Sequence, residues 1–239
     1  IPRTALQTMF TSSARLLILG AHPDDAEFRA GGLATGWAQQ GGTVKIVSVT
    51  NGESGHHELQ GPALVERRRM EAAAAAQIIG ATSEVWHFPD GRLEPSLELR
   101  WQIIREIRRF APDLVLTHRP CDYHPDHRAV GQAVQDASYL VTVPNLVREV
   151  PALDRDPVVG YLADRFTKPA PLAGDVVLDI GQHLDEIVGM LACHESQVFE
   201  WLPYNQRRLA DVPADAAERQ AWLRGWVLDR LRPQADRYR

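Results

Sequence analysis

The chain has 239 residues, 44% hydrophobic and 24% charged, enough for one α/β domain with a sizeable buried core, or such a domain with a modest appendage. Its net charge of −5, from 26 basic and 31 acidic residues, offers no broad basic field for nucleic acid or an anionic membrane surface. Cys121 and Cys193 are too few and too far apart for a disulfide framework or a CxxC metal site, which fits reduced thiols in a cytoplasmic setting.

Residues 1–14 lack the basic and apolar blocks of a signal segment and read as a flexible N-terminus. Leu16-Leu17-Ile18-Leu19-Gly20 is a continuous apolar run, the mark of a strand buried on both faces, and is far too short to span a bilayer. Residues 43–50, 84–88 and 113–117 repeat that character, and 175–180 (DVVLDI) is a fifth strand candidate. Helical patterns follow in turn at 33–40, 62–79, 96–110, 127–140 and 184–194, with Gly41-Gly42, Gly80 and Pro112 at their ends. This alternation predicts right-handed crossovers and a Rossmann-like, doubly wound, mostly parallel sheet with helices on both faces. The segment 141–174 holds five prolines and no period, and is expected to be a long irregular cover. A tail helix over 214–231 carries Trp222, Leu223, Trp226, Val227 and Leu231 on one stripe. The expected organisation is a catalytic domain over 15–200, with a helical extension over 201–239 packed on it.

The chemistry sits after the first and fourth strands. The first leads into Ala21-His22-Pro23-Asp24-Asp25-Ala26-Glu27, the fourth into His118-Arg119-Pro120-Cys121-Asp122-Tyr123-His124-Pro125-Asp126-His127. Each loop holds His-Pro-Asp followed by another metal-competent side chain. Proline holds the preceding histidine extended and suits the first position of a helix, so polar groups fall in the first helical turn. The positive end of the helix dipole there favours ionised Asp24 and Asp25. In the order 3-2-1-4-5, strands one and four are neighbours at the topological switch point, where ligands bind. His22, Asp25 and His127 then supply two imidazoles and a carboxylate, a catalytic zinc set with a position left for water. His56 and His57 read as solvated loop histidines, His87 as a core residue within a strand, and His194 as core or surface.

These loops resemble the signatures of the LmbE/PIG-L family of metal-dependent deacetylases. The likeness runs from about Arg15 to Gln197 and includes Glu66-Arg67-Arg68-Arg69-Met70-Glu71, Pro89-Asp90-Gly91 and Glu195-Ser196-Gln197. The Asp-Ala-Glu form is similar to the branch acting on N-acetylglucosaminyl-malate. The resemblance implies that His22, Asp25 and His127 hold Zn²⁺, with Fe²⁺ as another candidate metal, and that Asp24 is the general base. It implies that His124 stabilises the oxyanion with Asp126 behind it, and that Arg68 contacts the substrate sugar or its anionic substituent. It implies N-deacetylation of a small amino-sugar conjugate, by relatives that are often homo-oligomers. Arg29-Ala30 stands where a small Gly-Cys or Gly-Met pair is more usual, and the tail lacks the Tyr-Ala-Glu-Ala-Phe ending of some relatives.

Two rivals share some of these features. An iron(II) oxygenase also uses two histidines and one carboxylate, but such sites usually sit on double-sheet β barrels. A non-catalytic relative would bind a small sugar ligand. A dinucleotide binder would need G-x-G-x-x-G after strand one, where this chain has an acidic cluster.

Overall fold

The computed structural model describes residues 14–238. Five parallel strands form one sheet in the order β3-β2-β1-β4-β5. They are β1 (Arg15–Gly20), β2 (Thr43–Thr50), β3 (Thr82–Phe88), β4 (Leu114–Thr117) and β5 (Val158–Tyr161). The crossovers carry α1 (Asp25–Gln39), α2 (Gly61–Ile78), α3 (Leu97–Phe110) and α4 (Pro125–Ser138). Beyond the sheet lie α5 (Leu184–Cys193), a π-helical segment (Ser196–Trp201), α6 (Leu202–Asn205) and α7 (Ala216–Arg237).

Alternation along β1 divides the core. Leu17 and Leu19 join Ile103, Ile107, Val130 and Val134 from α3 and α4, while Leu16 and Ile18 face Ala26, Ala30, Ala34 and Trp37 of α1. Helices on both faces bury both sides of the strand, which is why no polar residue interrupts its apolar run. A third cluster joins α2, α5 and the π-helical segment to Leu223 and Val227 of α7, so the apolar stripe of the tail closes against the domain. No helix among the described residues is long and apolar enough to cross a membrane, and both cysteines are free thiols.

Three expectations are corrected. The fifth strand is Val158–Tyr161, inside the segment expected to be irregular, whereas 175–180 forms no strand and leaves Val176 and Val177 exposed. His87 lies on an edge strand and points outward, stacked on Phe88, not into the core. Helix α1 begins at Asp25, eight positions before the expected start at 33, because Gly31-Gly32 dilutes its apolar pattern. The proposed flexible segment lies outside the described residues except for Ala14, which is buried and whose carbonyl accepts from Trp37 Nε1 and Thr43 N at 3.0 and 2.9 Å.

The long excursion is organised by a buried cation. Arg108, near the end of α3, donates to the carbonyls of Leu140, Val141, Val143, Leu146, Val147 and Val150. Four of these carbonyls also accept a backbone N–H, those of Leu140, Val141, Val143 and Val147, and the guanidinium gathers all six around one buried charge.

Candidate metal centre and its surroundings

The β1–α1 and β4–α4 loops meet at the carboxyl edge of the sheet because β1 and β4 are hydrogen-bonded neighbours. His127 Nε2 lies 3.3 Å from both His22 Nδ1 and Asp25 Oδ1, and His22 Nδ1 lies 3.5 Å from Asp25 Oδ2. Zinc bonds of about 2.0–2.1 Å arranged tetrahedrally imply ligand separations of about 3.3–3.4 Å, so each of these pairs is spaced for a divalent cation, with Asp25 presenting Oδ1 to His127 and Oδ2 to His22. His22, His124 and His127, and Asp25, His118 and His127, also group closely enough to hold one.

Each ligand candidate is oriented by a carboxylate or a backbone group. His127 Nδ1 meets Asp122 Oδ1 at 3.1 Å, leaving Nε2 toward the centre. His22 Nε2 meets Asp90 Oδ1 at 3.1 Å and Asp126 Oδ2 at 3.2 Å, leaving Nδ1 for the centre. The His22 backbone N–H donates to Asp25 Oδ2 at 2.7 Å, leaving Oδ1 toward His127. His118 stacks on His127 at 3.9 Å, and its Nε2 accepts from the Ala21 N–H at 3.1 Å while lying 3.1 Å from Asp25 Oδ2.

The electrostatics favour a cation. Asp25, Asp90, Asp122 and Asp126 are all under a tenth exposed. Burial lifts the Asp25 carboxyl, but His127 and His118 outweigh it and hold it well below the usual carboxylate range. Burial likewise opposes charge on His127, yet Asp25 and Asp122 raise it to about 9. A divalent cation held by neutral imidazoles carries the same two positive charges as protonated His22 and His127, concentrated at one point among these carboxylates.

Asp24 caps α1 at φ 130°, a conformation rare for a residue with a side chain and costing about 1–3 kcal/mol. Burial lifts its carboxyl, Arg68 pulls it back and Asp25 adds to the rise, leaving it at about 6. His124 caps α4, its Nδ1 accepting from the Asp126 N–H at 3.2 Å, so Nε2 carries the proton and can donate. The His124 ring stands 4.5 Å from that of His22, edge to face.

Two expected site residues have protein partners of their own. Arg68 lies about two turns into α2 and is 2% exposed. Its Nη2–H donates to the Pro23 carbonyl at 2.6 Å, its Nη1–H to Gly52 at 3.3 Å, and Asp24 Oδ2 lies 3.5 Å away. The Asp126 carboxylate faces His22 and accepts from the Gly91 and Leu93 N–H groups at 2.7 and 3.2 Å; it touches His124 through its backbone only. Nor are His56 and His57 solvated. His56 Nε2 contacts Glu200 at 2.8 Å, and His57 stacks on Tyr204 at 4.0 Å. His194 is fully buried, 3.5 Å from Glu27. Of the supporting residues, Asp90 lies in the Pro89-Asp90-Gly91 string, while Asp122 and His118 carry no sequence mark beyond their placement in the loop after β4.

The chain is similar to proteins of known activity and structure. The chain is 32% identical to a 1D-myo-inositol 2-acetamido-2-deoxy-alpha-D-glucopyranoside deacetylase from Nakamurella multipartita, over 80% of this chain and 81% of that one. It is 26% identical to a 4-oxalmesaconate hydratase from Pseudomonas putida, over 84% of this chain and 80% of that one. Among solved structures, the 4-carboxy-2-hydroxymuconate hydratase of Pseudomonas putida superposes with a TM-score of 0.71 at 25% identity, covering 83% of this chain and 86% of that one. A family profile described as GlcNAc-PI de-N-acetylase matches residues 17–138, half of the chain, and the chain belongs to that family, PIG-L.

Proposed function

We propose that the protein is a zinc-dependent hydrolase that removes an N-acyl group, acetyl in the first instance, from an amino-sugar conjugate. The observation that carries this reading is the triangle of His22 Nδ1, the Asp25 carboxylate and His127 Nε2, with Asp24 and His124 beside it. The deacetylase relative supports the choice of bond.

In this reading His22, Asp25 and His127 hold the zinc, which when bound supplies Lewis acidity and lowers the pKa of a coordinated water. Asp24 takes the proton from the attacking water and delivers it to the departing nitrogen. A carboxyl lifted to about 6 is mostly ionised at neutral pH, yet basic enough to carry a proton. An amine leaves poorly unless protonated, so this transfer serves both halves of the reaction. His124 donates from Nε2 to the oxyanion that forms at the acyl carbon, a role whose loss costs about 10²–10³ in rate. Asp122 fixes the tautomer of His127, while Asp90 and Asp126 fix that of His22.

The likeness to hydratases favours a second reading, addition of water across an unsaturated bond of a carboxylate-bearing substrate with the same base. The oxygenase alternative is disfavoured by a parallel α/β sheet in place of a β barrel. Incubating zinc-loaded protein with a panel of N-acetylglucosamine conjugates tests the main reading: release of acetate with equimolar free amine is expected. Silence across the panel, together with turnover of unsaturated carboxylates, would replace it with the second.

A further inference from the structure

The string Asp24-Asp25-Ala26-Glu27 has the form of a capping box, with an acidic residue at the cap of α1 and a glutamate three positions on. In such a box each side chain bonds the backbone N–H of the other residue. The structure leaves it open. Asp24 stands at φ 130° and ψ −20°, outside the extended region that a capping residue adopts, and its side chain makes no capping hydrogen bond. Glu27, 3% exposed, meets His194 instead: Nε2 of the imidazole lies 3.5 Å from Glu27 Oε1.

His194 is a buried group that the reaction scheme above does not use. It ends α5 and leads into the π-helical segment, and elements other than α1 fix its place. The Gln197 and Val198 N–H groups both donate to its carbonyl at 2.9 Å. The Ser196 N–H and Oγ–H donate to the Glu71 carboxylate of α2 at 2.9 and 2.6 Å, and Gln197 Nε2 donates to the Gly55 carbonyl after β2 at 3.0 Å. The imidazole is therefore anchored independently of the helix whose glutamate it meets. No hydrogen bond among the described residues reaches His194 Nδ1 or Glu27 Oε2, so the ion pair is what holds the two side chains. Burial opposes charge on His194, but Glu27 raises it above its ordinary value; Asp24 adds to the rise and Arg68 opposes it.

Two arrangements compete for the first turn of α1. In the capped one Asp24 is extended, its carboxylate accepts from first-turn N–H groups, and Glu27 reaches back to the Asp24 N–H. That arrangement relieves the positive φ and commits the Asp24 carboxylate to its own helix. In the observed one the carboxylate lies 3.5 Å from Arg68, and Glu27 is held apart. We infer that His194 is a positioning residue: by holding Glu27 it keeps the cap of α1 open, so that the Asp24 carboxylate stays available to the reaction. The inference rests on the hydrolase reading for its effect on rate, whereas the state of the cap is measurable without turnover.

Crystal structures of His194→Leu and Glu27→Gln are the first arm. His194→Leu releases the carboxylate. Glu27→Gln breaks the ion pair without leaving a buried carboxylate unpaired, so it keeps the test open should His194→Leu fail to fold. In each, the released side chain is expected within about 3.2 Å of the Asp24 N–H, with Asp24 at negative φ. Asp24 still at positive φ, with side chain 27 in its original place, overturns the inference. The second arm is kcat and KM of the folded variants on the best glucosaminide. Both variants should lose about 10² in kcat with KM and zinc content retained. His194→Gln, whose amide still donates to Glu27, should recover most of that loss. A histidine that only supports the fold would lower the urea midpoint and leave kcat of the folded protein at the parent value, which also overturns the inference. If the parent hydrolyses no glucosaminide, the hydrolase reading fails on its own, and the crystallographic arm still decides whether His194 holds the cap open.

Discussion

Replacing Arg68 by methionine removes the guanidinium that ties α2 to the base-bearing loop while leaving a long apolar stem in its place. Its bond to the Pro23 carbonyl, at 2.6 Å, is charge-assisted and worth about 1.5–3 kcal/mol. Its attraction to Asp24 Oδ2, at 3.5 Å, amounts to roughly 5 kcal/mol before desolvation, at an effective dielectric of about 20. Asp24 meanwhile sits at φ 130°, storing about 1–3 kcal/mol that only the surrounding structure can hold. Either contact alone matches that strain, so their joint loss frees Asp24 to relax away from its working position. A displacement of about 1 Å near the reacting atoms costs on the order of 10² in rate. Steady-state kinetics on the best substrate should therefore show kcat reduced about 10²-fold with KM nearly unchanged. Arg68→Lys keeps the charge and loses the fork, and should fall between. A large rise in KM with kcat retained would refute the reasoning, since it would mean that the side chain reaches the substrate despite being 2% exposed.

Asp24→Asn should lose at least about 10² in kcat while retaining a full complement of metal, measured by plasma emission on dialysed protein; loss of metal would make Asp24 a ligand. Asp122→Asn removes the acceptor behind His127 Nδ1 and should weaken zinc about 10–100-fold in a competition titration with a chromophoric chelator. An unchanged affinity would show that the His127 tautomer is fixed some other way. Arg108→Met removes a charged donor shared by six carbonyls of the 140–150 segment, four of which keep a backbone N–H, and should cost about 3–5 kcal/mol by urea unfolding. A loss below about 1 kcal/mol would show that those acceptors were already hydrated.

The order of the sheet was legible because β1, β2 and β4 are buried on both faces and the four strands are separated by helices of ordinary length. The two His-Pro-Asp turns were legible for the same reason, since neighbouring strands carry their loops to one edge. The strand β5 was not. It has four residues, one of them Gly160, follows Pro157, and is held by register with β4, not by a local pattern. DVVLDI looked more like a strand but finds no partner among the described residues and turns its valines outward. Arg68 illustrates a different limit. A sequence places an arginine on a helix but does not say that the loop after β1 will fold over it, so that its guanidinium braces Pro23 and Asp24. Asp90 and Asp122 were passed over because a carboxylate two bonds removed from the chemistry acts through the histidine it orients, and that pairing exists only in three dimensions.

Crystals grown or soaked with zinc, with diffraction recorded on both sides of the zinc absorption edge, test the metal centre most directly. One anomalous peak is expected within about 2.0–2.2 Å of His22 Nδ1, an Asp25 carboxylate oxygen and His127 Nε2. A peak among His22 Nε2, Asp90 and Asp126 instead, or none in zinc-saturated protein, would contradict it.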